Sequence, residues 1–532
     1  MDTMFSEALS RAVLHAPTVG VIATLSLIAS FLIIFVSDLI HCGFKTWAVR
    51  WAPCIAGKSL LSERFRLKKS MEDYYEEFAD AYRKYSKNGK AFSISDNIGE
   101  GYIVMLPPQH YHDWYNVPRD HLNWGKAVNQ EFSLDDLGID LGWHIAPLTV
   151  QKCSQVDFIK RVEGPIGREL DRLLVENLTE SKEWHLCSLF NTVVNIYSHI
   201  ALLVVLGPEF SNHTALAEQL PLFNMQLSDR MGSEKSYPMF FKPLVRKFSA
   251  KTRQVQSIMA EMKKTIVPEI RRRVEQRRRS TKQSTQNCFL DVMIELLLKK
   301  GLLSHDAVKD DERHFDTMAI QTIFLLFEVL GGLTPATTSS LYQIMKTPEY
   351  LAPLREELAA ALKQADNAWS FDIFKHTPKL ESFTKECLRV FTPSGIASGG
   401  LVEKPLQLRS TGRTLSPGTK FSLPAQQAHL DPDNYPNPNI FDGYRFCDPQ
   451  SGACDIRGTI TPSAKWLIFG IGTSACPARL LATRISQTLF FKVLRKYDLR
   501  LKLDNGQPEV VYAATNMFVN FNTQMYVKSA SI

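Results

Sequence analysis

WLIFGIGTSACPARLLATR, residues Trp466–Arg484, is the stretch on which the reading of this chain turns. A glycine-rich turn runs straight into a segment of helical pattern, and Cys476 stands at the junction. A cysteine so placed has its sulfur against the unpaired first amides of a helix, whose positive dipole end favours a thiolate. Gly470 and Gly472 remove side chains where the backbone must approach something flat and bulky, and Pro477 suits the start of a helix. An anionic sulfur, amides donating to it and a close backbone are what an axial thiolate on a haem iron needs. A lone cysteine after a turn is more often a buried structural residue. The full spacing Phe469-x-x-Gly472-x-x-x-Cys476-x-x-Arg479 is what sets this one apart.

Upstream, Glu386-Cys387-Leu388-Arg389 places an acid and a guanidinium three residues apart, on one face of a helix. Arg445, in Phe441-Asp442-Gly443-Tyr444-Arg445-Phe446, supplies a second fork for the same carboxylate. One carboxylate between two arginines is fully hydrogen-bonded only in a fixed geometry, so the three residues are expected to pin the Pro/Asn-rich loop His429–Phe446 to the core.

With these motifs in order, the chain resembles the cytochrome P450 family of haem-thiolate monooxygenases, over about residues 40–530. The family's haem loop has the form F-x-x-G-x-[HR]-x-C-x-G-R, and its helix E-x-x-R precedes it. The resemblance implies a mainly α fold with small β-sheets (α+β), with a haem held by Cys476 as the iron's axial ligand. Phe469, Gly470, Gly472 and Arg479 would then line the cofactor, and electrons would come from NADPH through an NADPH-cytochrome P450 reductase. It implies dioxygen as co-substrate and an apolar small molecule as the compound hydroxylated or otherwise oxidised. Thr347–Leu358, Leu206–Phe210 and Ile266–Arg273 look like a fungal branch, similar to the ent-kaurene-oxidase-like group, that acts on terpenoid or related secondary metabolites. The expected substrate is therefore a terpenoid or polyketide of a fungal biosynthetic pathway.

The chain departs from the family pattern in three places. The central helix of the family carries [AG]-G-x-[DE]-T, whose acid and alcohol relay protons. Here the matching helix reads FLLFEVLGGLTPATTSSLY, Phe324–Tyr342. With Gly331 and Thr334 on the pattern, Leu333 stands where the acid belongs; a second alignment shifts the register by about two residues. Thr334 is the candidate relay hydroxyl, and Glu328 could replace the acid only if it shares the right helix face. Gly331-Gly332 followed by Pro335 would open the helix locally, since proline removes a backbone donor. Ser474 stands where the family has a cationic partner for a haem propionate, Ala478 replaces a glycine, and arginines are missing near Leu401–Val402. His144 and Lys152 are the alternative propionate partners. These departures keep two further readings open: a haem enzyme that isomerises, cyclises or dehydrates, and a catalytically silent haem-binding protein.

Between Arg11 and Asp38 there is no charged residue, and Val19–Ser37 would span about 28 Å as a helix, close to a bilayer's hydrocarbon thickness. The following basic residues Lys45, Arg50 and Lys58 place the main body on the cytosolic side. The expected organisation is a short lumenal segment (1–18), a transmembrane anchor (19–39), a linker (40–60) and a haem-thiolate domain (61–532), with single-pass insertion in the endoplasmic reticulum membrane. Over 532 residues a net charge of +7 is a mild excess that requires no polyanion. The basic run Lys263–Lys282 is interleaved with acids at helical spacing, as on a solvated helix, and nucleic acid is not an expected partner. Nine scattered cysteines without a CxxC pair indicate neither a disulfide framework nor a zinc ribbon. Asn177 and Asn212 match the glycosylation acceptor, which a cytosolic body would leave unmodified.

Overall fold

Hydrophobic periodicity predicts long helices behind residue 150, and they form where the pattern is strongest. The structure, a computed structural model, describes residues 21, 24–33, 35–36, 40, 49, 51–55, 71–95, 101–118, 120–137, 145–235, 237, 241–279, 286–303, 312–448, 453, 458–502 and 509–530. The segment 1–18 and His144 lie outside them. Val156–Leu178, Phe289–Lys299, Glu312–Lys346, Leu351–Gln364, Pro378–Val390 and Arg479–Lys496 are helices at nearly the expected bounds. Leu189–Leu206 begins later than its apolar run because His185–Ser188 is drawn into a strand against Gln524–Val527. The expected helix over Pro238–Arg279 is broken at Ser249, leaving Lys242–Phe248 and Ala250–Arg279. Thr214–Lys235 escapes the periodicity argument: it carries Pro221, and its apolar residues are spread around the helix.

The Glu312–Lys346 helix is the axis of the molecule. It packs against Leu189–Leu206, Ala250–Arg279, Pro378–Val390 and Arg479–Lys496, and its residues Phe315–Leu326 are almost all buried. One continuous apolar core runs through these helices. A smaller core, with Trp114, Phe421 and Leu467, lies under a five-stranded sheet whose order is Phe92–Ser95, Tyr102–Met105, Lys420–Leu423, Ala397–Val402, Leu122–Asn123. The Tyr102–Met105 and Lys420–Leu423 pairing is parallel and joins segments far apart in the chain. The C-terminal strands Tyr497–Leu501 and Gln524–Ser529 pair with His185–Ser188 in a separate three-stranded sheet.

Thr24–Ile33 is an apolar helix whose Leu25, Leu27, Phe31 and Ile33 are exposed. Leu189–Leu206 and Glu312–Lys346 are also long and apolar, but most of their surface is inside the protein. The basic run is structural as well as solvated: Arg273 is buried, donating to Leu206 O, to Glu209 and Glu269, and at 2.8 Å to Asp291. Asn177 of the first glycosylation pattern is tied into its helix, donating to Leu173 O at 2.8 Å and accepting from Asn195. Cys447 is disulfide-bonded, a departure from the reading of the cysteines as thiols, while Cys54, Cys153, Cys187, Cys288, Cys387 and Cys476 are free.

Candidate active site

The turn before Cys476 is shaped by its glycines. Gly470 and Gly472 both sit at positive φ, +70° and +66°, where a side chain is disfavoured. A Cβ on Gly472 would also stand 2.5 Å from Tyr115 O, so this turn is pressed against the Pro108–Asp113 segment's end. The Cys476 amide donates to Phe469 O at 2.7 Å, closing the loop, and Gly470 N donates to Leu467 O at 2.8 Å. Arg479, the first helical residue, reaches back: Nη1 donates to Cys476 O at 2.9 Å and Nε to Ile460 O at 3.0 Å. Pro477 thus precedes the N-cap, Ala478, rather than occupying the first helical position. Ser474 is spent within the loop, donating to Ile471 O at 3.4 Å.

Cys476 keeps part of its surface accessible, yet burial pushes its thiol up to about 11. The amides of Ala478 and Arg479 and the Arg479 charge act in the opposite direction, as a helix start should; Glu328 adds to the upward push. Burial outweighs the helix end among the protein's own atoms.

The carboxylate between two arginines forms as the spacing predicts. Glu386 and Arg389 are fully buried; Arg389 Nε and Nη2 donate to the two Glu386 oxygens at 2.7 and 2.8 Å. Arg445 Nε lies 3.0 Å from both oxygens, and its other nitrogens donate to Pro436 O at 2.6 Å and Ile440 O at 2.7 Å. Asp442 N completes the set on Glu386 at 3.1 Å. The loop carrying Arg445 is thereby held on the core.

Sequence reasoning missed His429. This fully buried imidazole accepts the Leu467 amide on Nε2 at 2.9 Å, so Nδ1 carries the proton and donates to Thr392 Oγ1 at 2.9 Å. It stacks on Trp466 with ring centres 5.0 Å apart, and Arg389 donates to its carbonyl at 2.9 Å. Burial, then the Arg389 and Lys385 charges, lower its pKa to about 3, so it is neutral at any physiological pH. His429 is the link between the Glu386–Arg389 helix and the cysteine loop. Its signal was available only as a histidine preceding the Asp431–Asn439 loop, and nothing local distinguishes it.

The Glu312–Lys346 helix runs unbroken through Gly331, Gly332 and Pro335, without the local opening their sequence predicts. Gly331 and Gly332 are exposed in the middle of a largely buried helix, as Glu328 is, and a Cβ on either glycine would meet nothing within 4 Å. At about 100° per residue Glu328, Gly331, Gly332 and Pro335 share one face. Thr334 lies about 120° from Glu328, is buried, and its hydroxyl has no partner among the described residues. Leu333, where the family's acid is expected, is buried too. Lys152 is exposed at the end of Ile145–Cys153.

A sulfur with amide donors, a turn stripped of side chains and a side-chain-free patch of helix near it together fit a haem. A model of the cytochrome P450 family matches residues 158–527. The chain belongs to that family and is a cytochrome P450 monooxygenase, with a thiolate-ligated haem as its cofactor. It is 96% identical over 188 residues, 35% of this chain and the whole of the other, to the cytochrome P450 monooxygenase dtpC of Aspergillus flavus. It is 36% identical, over 92% of its length and 89% of the other, to the cytochrome P450 monooxygenase cpsD of Aspergillus campestris. Bicoumarin synthase ktnC of Aspergillus niger is 34% identical over 66% of this chain and 84% of its own. The solved retinoic acid bound cyanobacterial CYP120A1 has the same fold, with a TM-score of 0.65 at 16% identity over 90% of this chain and 99% of the other. These relatives support a role in secondary-metabolite biosynthesis.

Proposed function

We propose that Cys476 is the axial ligand of the haem and that the protein oxidises an apolar, ring-bearing secondary metabolite, of the terpenoid or polyketide classes. When bound, the haem supplies dioxygen activation driven by two electrons delivered from outside. The chain's own residues do the rest. Cys476 is presented by a loop that Arg479 and the Phe469 carbonyl hold closed. Phe469, Gly470 and Gly472 would line the haem on the sulfur side, and the missing side chains of Gly331 and Gly332 would leave room on the other. Thr334, buried with an unpaired hydroxyl on the turn that follows those glycines, is the candidate to pass a proton. The name of ktnC says that this relative makes a bicoumarin, a compound of fused aromatic rings, which favours an aromatic polyketide over a terpenoid.

Electrons come from a membrane-bound NADPH-cytochrome P450 reductase, and the body stands on the cytosolic face of the endoplasmic reticulum. The exposed apolar helix Thr24–Ile33, within the uncharged run Val19–Ser37, supports a single-pass anchor. Leu244 and Phe248, exposed on Lys242–Phe248, offer a second apolar contact with the same membrane.

The position of Cys476 near the Gly331–Gly332 patch carries this reading. The haem-loaded, reduced protein under carbon monoxide should show the Soret position that marks a thiolate ligand, and Cys476→Ala should lack it. A normal band in the variant would end the assignment. Product formation that requires reductase, NADPH and dioxygen separates monooxygenation from isomerisation, and turnover without reductase would favour the isomerase, cyclase or dehydratase reading.

A further inference from the structure

Glu328 is the most unusual side chain in the molecule. It keeps substantial accessible surface, yet it sits near the middle of the central helix, and burial alone lifts its carboxyl to about 7. Only a group that lines an interior cleft satisfies both statements. Its charge is felt at Cys476, so the two groups lie near each other. Gly331 and Gly332, three and four residues on, lie on the same face with open space above them. No hydrogen bond or opposite charge within the described protein stabilises the carboxyl.

A carboxyl left without a protein partner in such a place is costly unless something else satisfies it. Its neighbours along the helix are aromatic: Phe327 precedes it, and Phe324, four residues back, shares its face. Phe327, half-buried, gathers Phe324 at 5.7 Å, Phe132 at 5.9 Å and Phe223 at 6.0 Å between ring centres. That apolar, aromatic wall with one acceptor in it is complementary to an aromatic ring system carrying one hydrogen-bond donor.

We propose that Glu328 anchors the substrate by accepting a hydrogen bond from an O–H or N–H group on an aromatic ring system, fixing which edge of the ring faces the Cys476 side of the cleft. This rests on the reading of Cys476 as the haem ligand and narrows the substrate class that reading leaves open. Glu328 positions the substrate; no bond is made or broken at its carboxyl. A saturated terpenoid without a donor gains nothing from this group and leaves it unpaired.

The test uses the haem-loaded full chain and a matched pair of probes, 4-phenylphenol and 4-methoxybiphenyl, which differ only in the donor. Dissociation constants are read from the probe-induced Soret shift at pH 7.5, so no turnover is required. A hydrogen bond to a carboxyl should favour the phenol by about tenfold in the wild type. Glu328→Leu should bring the ratio to about one, with the methoxy probe's own affinity changed less than twofold. Glu328→Gln, whose amide oxygen still accepts, should retain part of the preference. An unchanged ratio in Glu328→Leu, or no Soret shift with either probe in a wild type whose carbon monoxide band is normal, overturns the proposal and leaves the haem assignment standing. Loss of that band in the wild type would instead be failure of the Cys476 reading.

Discussion

Replacing His429 by phenylalanine isolates the link between the Glu386–Arg389 helix and the haem loop. The imidazole is buried and neutral, with a pKa near 3 in the fold against about 6.5 in the unfolded chain. A base whose folded pKa is depressed contributes fully above its unfolded pKa and loses that contribution as pH falls toward the folded value. Between pH 7.5 and 5.0 the unfolded chain takes up a proton on this residue that the folded one refuses, which removes about 2 kcal/mol from the wild type. Phenylalanine keeps the ring stacked on Trp466 but leaves the Leu467 amide without an acceptor, a loss of about 1–3 kcal/mol. The variant should therefore be the less stable protein at pH 7.5, and the gap should close by about 2 kcal/mol at pH 5.0. Urea unfolding of both proteins, followed in parallel by the Soret band and tryptophan fluorescence, measures the difference, because every other titrating group is common to the pair. A gap that stays constant between the two pH values would refute the neutral, doubly hydrogen-bonded imidazole.

Arg389→Ala should leave Glu386 as a buried charge with one of its two arginines gone, at a cost of about 3–5 kcal/mol, and yield haem-free or insoluble protein; haem-loaded variant at wild-type yield would contradict this. Gly472→Ala combines a positive φ with a contact 2.5 Å from Tyr115 O, so it should lower the melting temperature and the haem content. Thr334→Ala should keep the carbon monoxide band while diverting more NADPH into peroxide, since loss of a proton-transfer group slows chemistry about 10²–10⁴-fold without preventing binding. An unchanged ratio of product to NADPH consumed would show that another group passes the proton.

Phe469, Gly472, Cys476 and Arg479 were legible in the sequence because their spacing is local: a turn, a helix start and the residues within one helical turn of it are dictated by neighbours in the chain. Glu386 and Arg389 were legible for the same reason, as two residues on one helix face, and the long helices followed from apolar periodicity. Thr214–Lys235 was not, since its stability comes from packing on Leu189–Leu206 and Ala250–Arg279 rather than from a one-sided pattern. His429 needed Leu467 and Thr392, brought to it from 38 and 37 residues away, before its ring had any role. Glu328 shows the difference most sharply. In the sequence it is an acid six residues before Thr334, of uncertain face; its meaning depends on what stands across from it. Whether a carboxyl meets water, a cation or an empty cleft is set by desolvation, and desolvation is a property of everything packed around the group, from segments anywhere in the chain.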